Sequence, residues 1–257
     1  MGAMIAWVRI TTIALSLTTL SCSGSSKPCV RVFAAASLTQ SFEELAAAFE
    51  SEHPDVKVEL HCAGTPRLVL QLREGAEADV FASADDRQMQ RVVDAGQTSA
   101  PPVDFAGNEL TIITSDRNPH EIELLADLQR QEVGVLMCGP EVPAGRYARE
   151  ALKKAGLEVQ SRSDEPSVRA VISKVRLGVV DAGIVYATDA QTAVDQEDVF
   201  GAKIHRVAIP EHHNIQTRYP IAPLTTGDHE PLGTAFVAFV TGTTGQAILA
   251  SHGFTKP

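Results

Sequence analysis

The order in which strand-like and helix-like apolar patterns follow one another restricts this chain more than any other feature. Residues 29–34 are apolar around Arg31 and read as a buried strand. A helical period follows, with Phe42, Leu45, Ala46 and Phe49 on one face and Ser37 placed to cap its start. Val56, Val58 and Leu60 then alternate with Lys57 and Glu59, the mark of a strand. Thr65 and Pro66 open a second helix as its cap and first residue; it carries Leu68, Val69 and Leu72 and ends at Gly75. A short strand at 79–82 leads to a helix capped by Ser83 or Asp85, with Met89, Val92 and Val93 inward. Such β-α alternation predicts a parallel, doubly wound sheet with right-handed crossovers. Ligands of these sheets lie beyond the carboxyl ends of the strands, the edge where Ser37 and Thr65 fall.

A second unit of the same kind follows. Residues 109–114 read as a strand near the first crossing between two lobes. Strands at 133–138, 182–186 and 207–209 and helices at 146–154 and 167–176 come next. Residues 215–222 return to the first lobe, and helices at 231–240 and 245–250 close the chain. The predicted fold is therefore α/β: two doubly wound lobes joined by a two-strand hinge, with the ligand in the interlobe cleft. Lobe I takes residues 29–108 plus 220–257, and lobe II takes 109–219. A chain that crosses twice can open and close around its ligand. The apolar residues, 44% of the chain, are mostly aliphatic, with aromatics at 5%, as suits helices packed on sheets.

The first residues stand apart from this pattern. Arg9 precedes an uncharged, mostly apolar run at 10–20, and small polar residues occupy 21–26 around Cys22. That run is short for a bilayer span and reads as a signal peptide. Cys22 sits where a bacterial lipoprotein carries its acylated cysteine, and the Ser/Gly stretch after it suits a tether. Residues 1–28 are thus expected to be signal plus lipid-anchored tether, placing the protein on the extracytoplasmic face of the cell membrane. With Cys22 acylated, Cys29, Cys62 and Cys138 remain, and an odd count leaves at least one unpaired.

The net charge of −10 becomes −11 once residues 1–21, with Arg9 as their one charge, are removed. No basic stripe is left to neutralise phosphates, which excludes nucleic acid as a partner. An anionic small ligand stays open, because oriented N–H groups hold anions inside acidic proteins. The chain has no Gly-x-Ser-x-Gly, no Walker loop, no Gly-rich dinucleotide loop and no metal-ligand spacing, so it is not read as an enzyme. An enzyme on a related two-lobed fold is the alternative of a different class. Asp79 and Asp85 flank a strand and are expected to cap and orient. His205, His212 and His213 read as loop residues without a metal.

Five segments resemble the periplasmic molybdate-binding proteins of ATP-driven importers, in family order: VFAAASLT at 32–39, ADVFASAD at 78–85, GPEVPAGRYA at 139–148, AGIVYATDA at 182–190 and YPI at 219–221, with Gly253-Phe254 at the end. The resemblance implies a binding protein for molybdate or tungstate that is monomeric, uses no cofactor and delivers to a membrane permease. It also implies a ligand set. Ser37 and Thr65 supply hydroxyls, Ala144 and Val168 supply backbone N–H groups, and Tyr186 supplies a phenol. The alternative within the class is a binder of sulfate or another small oxyanion.

Physical chemistry favours such a set for a dianion. Losing water costs on the order of tens of kcal/mol if nothing replaces it, and hydroxyls with helix-start N–H groups do replace it. Neutral donors also ease release compared with a desolvated cation pair. Hydrogen phosphate leaves its proton against a donor, whereas sulfate differs from molybdate chiefly in size. Arg67, Arg146 and Arg169 lie close in sequence to these positions and are read as surface salt-bridge formers.

Overall fold

The computed structural model describes residues 27–195 and 203–257; the expected signal peptide and tether, Cys22 included, lie outside them apart from Lys27 and Pro28. Lobe I begins with β1 (Cys29–Ala35), α1 (Thr39–Glu52), β2 (Lys57–Ala63), α2 (Thr65–Arg73), β3 (Val80–Ala82), α3 (Asp86–Asp94) and β4 (Val103–Asn108). Lobe II contains β5 (Leu110–Ser115), β6 (Val135–Cys138), α4 (Pro143–Lys154), β7 (Asp164–Glu165), α5 (Val168–Arg176), β8 (Ala182–Tyr186), α6 (Ala187–Asp195) and β9 (Ile204–Ala208). The chain then returns through β10 (Thr217–Pro223) to α7 (Glu230–Thr241) and α8 (Thr243–Ser251).

The two sheets have matching strand orders, β2-β1-β3-β10-β4 and β7-β6-β8-β5-β9. Each is mixed rather than wholly parallel as the sequence suggested. In lobe I, β10 runs antiparallel to β3 and β4; in lobe II, β5 runs antiparallel to β8 and β9. The reason lies in how these strands arrive. Both enter directly from the other lobe, without the crossover helix that makes successive strands parallel. The strands β4 and β7 and the helix α6 escaped the periodicity reading, the first two because they are short or polar.

The two crossings lie side by side. Only Glu109 separates β4 from β5, and the return begins at Thr217, three residues before the boundary drawn at 220. The Thr217 hydroxyl donates to the Asn108 carbonyl at 3.1 Å. Asn214 accepts from the Leu110 N–H at 3.0 Å and donates to its carbonyl at 2.8 Å. A backbone laced in this way turns as one piece, which suits a hinge.

Burial follows the predicted faces. Phe42, Leu45 and Phe49 of α1 are fully buried. Phe42 and Phe49 meet Phe236 of α7, the second pair edge-on at 5.3 Å. Lobe II packs aliphatic side chains instead, among them Ile112, Val135, Val171 and Ile184. Cys29, Cys62 and Cys138 are free thiols, and burial pushes the Cys138 thiol up.

Candidate functional site

The carboxyl ends of strands from both sheets face one cavity, and all five sequence-predicted positions lie on its wall. Ser37 and Thr65 come from lobe I; Ala144, Val168 and Tyr186 come from lobe II. The cavity is small: about 10 Å³ is open to the centre of a water-sized sphere, so it suits a solute of a few atoms. No charged side chain is among its lining residues.

Helix starts carry the polar groups. Thr65 and Val168 are the first residues of α2 and α5. Pro143 opens α4 and has no N–H, which makes the N–H of Ala144 the first of that helix. N–H groups at these positions have no partner within their own helices. Three positive helix ends therefore meet at one point. Gly145 seats α4 on its strand: a Cβ there would overlap the Cys138 and Gly139 carbonyls.

Two expected caps are otherwise arranged. Ser37 lies within a 3-10 turn before α1 rather than at the helix cap, and its Oγ stands 3.3 Å from the Tyr219 hydroxyl. Thr39 and Ser41 hold that turn instead, donating to Ala36 and Leu38 carbonyls. Gly64, not Thr65, is the N-cap of α2; both Thr65 and Ser37 line the cavity. Asp85 does cap α3, accepting the Gln88 N–H at 2.8 Å, while Asp79 accepts the N–H groups of Arg31 and His229.

Behind the cavity lies a polar chain that sequence reading missed. Asn108 donates to the Tyr219 hydroxyl at 3.3 Å and to Thr188 Oγ1 at 2.8 Å. The Tyr219 hydroxyl also pairs with Ser37 Oγ, where either oxygen can donate; with Tyr219 as donor, the Ser37 proton is free for the cavity. Tyr186 meets Tyr219 edge-on at 5.6 Å, and its hydroxyl donates to the Ala84 carbonyl of the other lobe at 3.5 Å. Burial pushes both phenols up, so both keep their protons and remain donors. YPI at 219–221 was the one sequence signal for this chain.

Of the three arginines, Arg146 bridges the lobes: Nη2 lies 2.6 Å from Oδ2 of Asp85, a buried carboxylate. Gln88 Nε2 donates to the Glu141 carbonyl beside it at 2.9 Å, and Arg91 pairs with the Glu141 carboxylate at 3.1 Å. Arg67 and Arg169 are exposed. Among the described residues no three His, Cys, Asp or Glu groups converge as a metal site would need.

Comparison with known proteins agrees with this geometry. A family described as bacterial extracellular solute-binding protein matches residues 30–255. The molybdate-binding protein ModA of Mycobacterium tuberculosis is 39% identical over 226 residues, 88% of this chain and 84% of that one. A substrate-binding domain of a putative molybdenum ABC transporter from Clostridium difficile superposes with a TM-score of 0.65 at 25% identity, over 89% of this chain and 99% of that one. The sulfate-binding protein SubI of M. tuberculosis shares the fold, with a TM-score of 0.77 at 18% identity, over 89% and 87%.

Proposed function

We propose, for a chain that belongs to the bacterial extracellular solute-binding proteins, that its solute is molybdate or tungstate, captured outside the cytoplasm for an ATP-driven importer. It binds its cargo and releases it unchanged, as a binding protein and not an enzyme, and needs no cofactor. The observation that carries this reading is the cavity: small, between two lobes, walled by hydroxyls and helix-start N–H groups, and free of charged side chains. The five positions named from the resemblance form its donor set, with Ser37, Thr65 and Tyr186 giving O–H groups and Ala144 and Val168 giving N–H groups. A tetrahedral dianion accepts from all of them and has no proton of its own to misplace. The relatives named for molybdate supply the choice among anions.

In this reading the protein works as a monomer, held to the membrane by a lipid on Cys22, and hands its anion to a membrane permease. Calorimetric titration with molybdate, tungstate, sulfate and phosphate tests the ligand. Tight binding of the first two with little heat from the others is expected; sulfate binding as tight as molybdate would sink the assignment. Mass spectrometry of the membrane-extracted protein tests the anchor, expected as a lipid mass on a chain starting at Cys22.

A further inference from the structure

One contact between the lobes is made by main chain on both sides, beside the proposed site. Gly64 lines the cavity immediately before Thr65, and Pro166 lies two residues before Val168 on the facing wall. The Gly64 backbone, at φ −57° and ψ 131°, is open to any residue. Space, not conformation, calls for glycine: a Cβ there would fall well inside van der Waals contact of the Pro166 carbonyl oxygen and 3.3 Å from its carbonyl carbon.

The opposite flank of the cleft is different. There Arg146 meets Asp85, Gln88 meets the Glu141 carbonyl and Arg91 meets the Glu141 carboxylate, each with a long side chain on at least one side. Long side chains follow a small change in lobe angle at little cost. The carbonyl of Pro166 does not: the proline ring fixes one torsion, and the following Ser167 is tied down as the cap of α5. We propose that the Gly64–Pro166 contact is the stop that ends lobe closure and so sets the width of the oxyanion cavity. It stands one residue from Thr65 and two from Val168, and therefore fixes the spacing of donors on facing walls. Tetrahedral dianions differ mainly in size, so a site that sorts them needs one side that does not give. This inference rests on the reading of the cavity as an oxyanion site closed by two lobes.

Gly64→Ala tests it, through calorimetric titration with molybdate and tungstate and thermal melts without ligand. The unliganded melting temperature is expected to hold within about 2 °C: alanine suits these dihedrals and restricts the unfolded chain, which offsets its poorer capping of α2. Molybdate is expected to bind roughly 10- to 100-fold more weakly, the size of an overpacked contact. Binding within about threefold of the parent overturns the proposal. A drop of more than about 2 °C in the unliganded melting temperature also overturns it, because the contact is then permanent packing rather than an end-stop. If the parent itself takes neither anion, the functional reading fails instead, and the melts alone judge the contact. A retained melting temperature then supports the stop, since a Cβ at Gly64 is accommodated only where the lobes part.

Discussion

The two lobes share a strand order but solve burial and binding by different means. Eight of the nine phenylalanines belong to lobe I; the ninth, Phe200, lies outside the described residues. Lobe I buries two carboxylates near its sheet edge, and each is satisfied at both oxygens: Asp79 by two backbone N–H groups, Asp85 by a helix N–H and Arg146. Lobe II buries Glu165, which pairs with Lys174, and Asp189, whose Oδ2 has no hydrogen-bond partner. The proposed donors divide likewise. Lobe I offers side-chain hydroxyls, and lobe II offers two backbone N–H groups with one phenol. Matching topology thus sets where the walls stand, while residue choice sets how each wall is held and what it presents.

The largest expected effect breaks the comparison of cores. Phe49→Ala removes a ring that touches both Phe236 and Phe239 and should cost about 3–5 kcal/mol of unfolding free energy. Val171→Ala in lobe II should cost less, since it deletes fewer buried atoms. Urea unfolding measures both, and equal losses would show that the aromatic core has no special weight.

Next comes the lone carboxylate. Burial raises Asp189 to about 7, and the Arg169 charge offsets that only in part. The folded chain then holds a proton that the unfolded chain releases near pH 3.8. The stability it contributes is full below that pH and is lost as pH rises through about 7, by at most about 4 kcal/mol. Asp189→Asn should abolish that decline and gain on the parent between pH 5 and pH 8. Parallel pH profiles in urea would refute the assignment. Asp79→Asn replaces one of two accepting oxygens by an NH2 group that faces a backbone N–H, and destabilises the fold.

The donors give a smaller, matched pair. Ser37→Ala deletes a hydroxyl from lobe I. Val168→Pro deletes an N–H from lobe II at a first helical position, where proline is tolerated, after Ser167, whose extended backbone proline also accepts. Each should weaken molybdate binding by about 1–3 kcal/mol with the fold retained. If only the Ser37 variant weakens, the Val168 N–H is no donor, and lobe II holds the anion through Ala144 and Tyr186.

That pair also marks how far the residues could be read without coordinates. The β-α alternation made both lobes legible, because buried parallel strands and amphipathic helices leave different periods. The hinge strands were placed but their direction was not, since nothing in β5 or β10 records which neighbour it will join. Ser37, Thr65 and Tyr186 carry side chains that suggest chemistry. Ala144 and Val168 carry none, and only the family resemblance pointed to them; their N–H groups acquire meaning from the helix starts that three strand ends bring together. Gly64 and Pro166 were silent for the same reason: each is ordinary in its own segment, and the contact exists only once the lobes meet.

The smallest effect concerns the chain behind the cavity. Tyr219 does not itself line the cavity, yet it stands between Asn108 and Ser37. In Tyr219→Phe the Ser37 hydroxyl loses the partner that fixes its rotor, while Asn108 keeps Thr188 as a partner. Molybdate affinity should fall by about 0.5–1.5 kcal/mol, the worth of one neutral hydrogen bond, with little further loss when Ser37→Ala is added. That non-additivity is the reading that matters, because residues acting through one hydroxyl cannot be lost twice. Full additivity in the double variant would mean that Tyr219 supports the site through packing against Tyr186 and Phe254 instead, making the lobe I wall a matter of ring contacts rather than of an oriented proton.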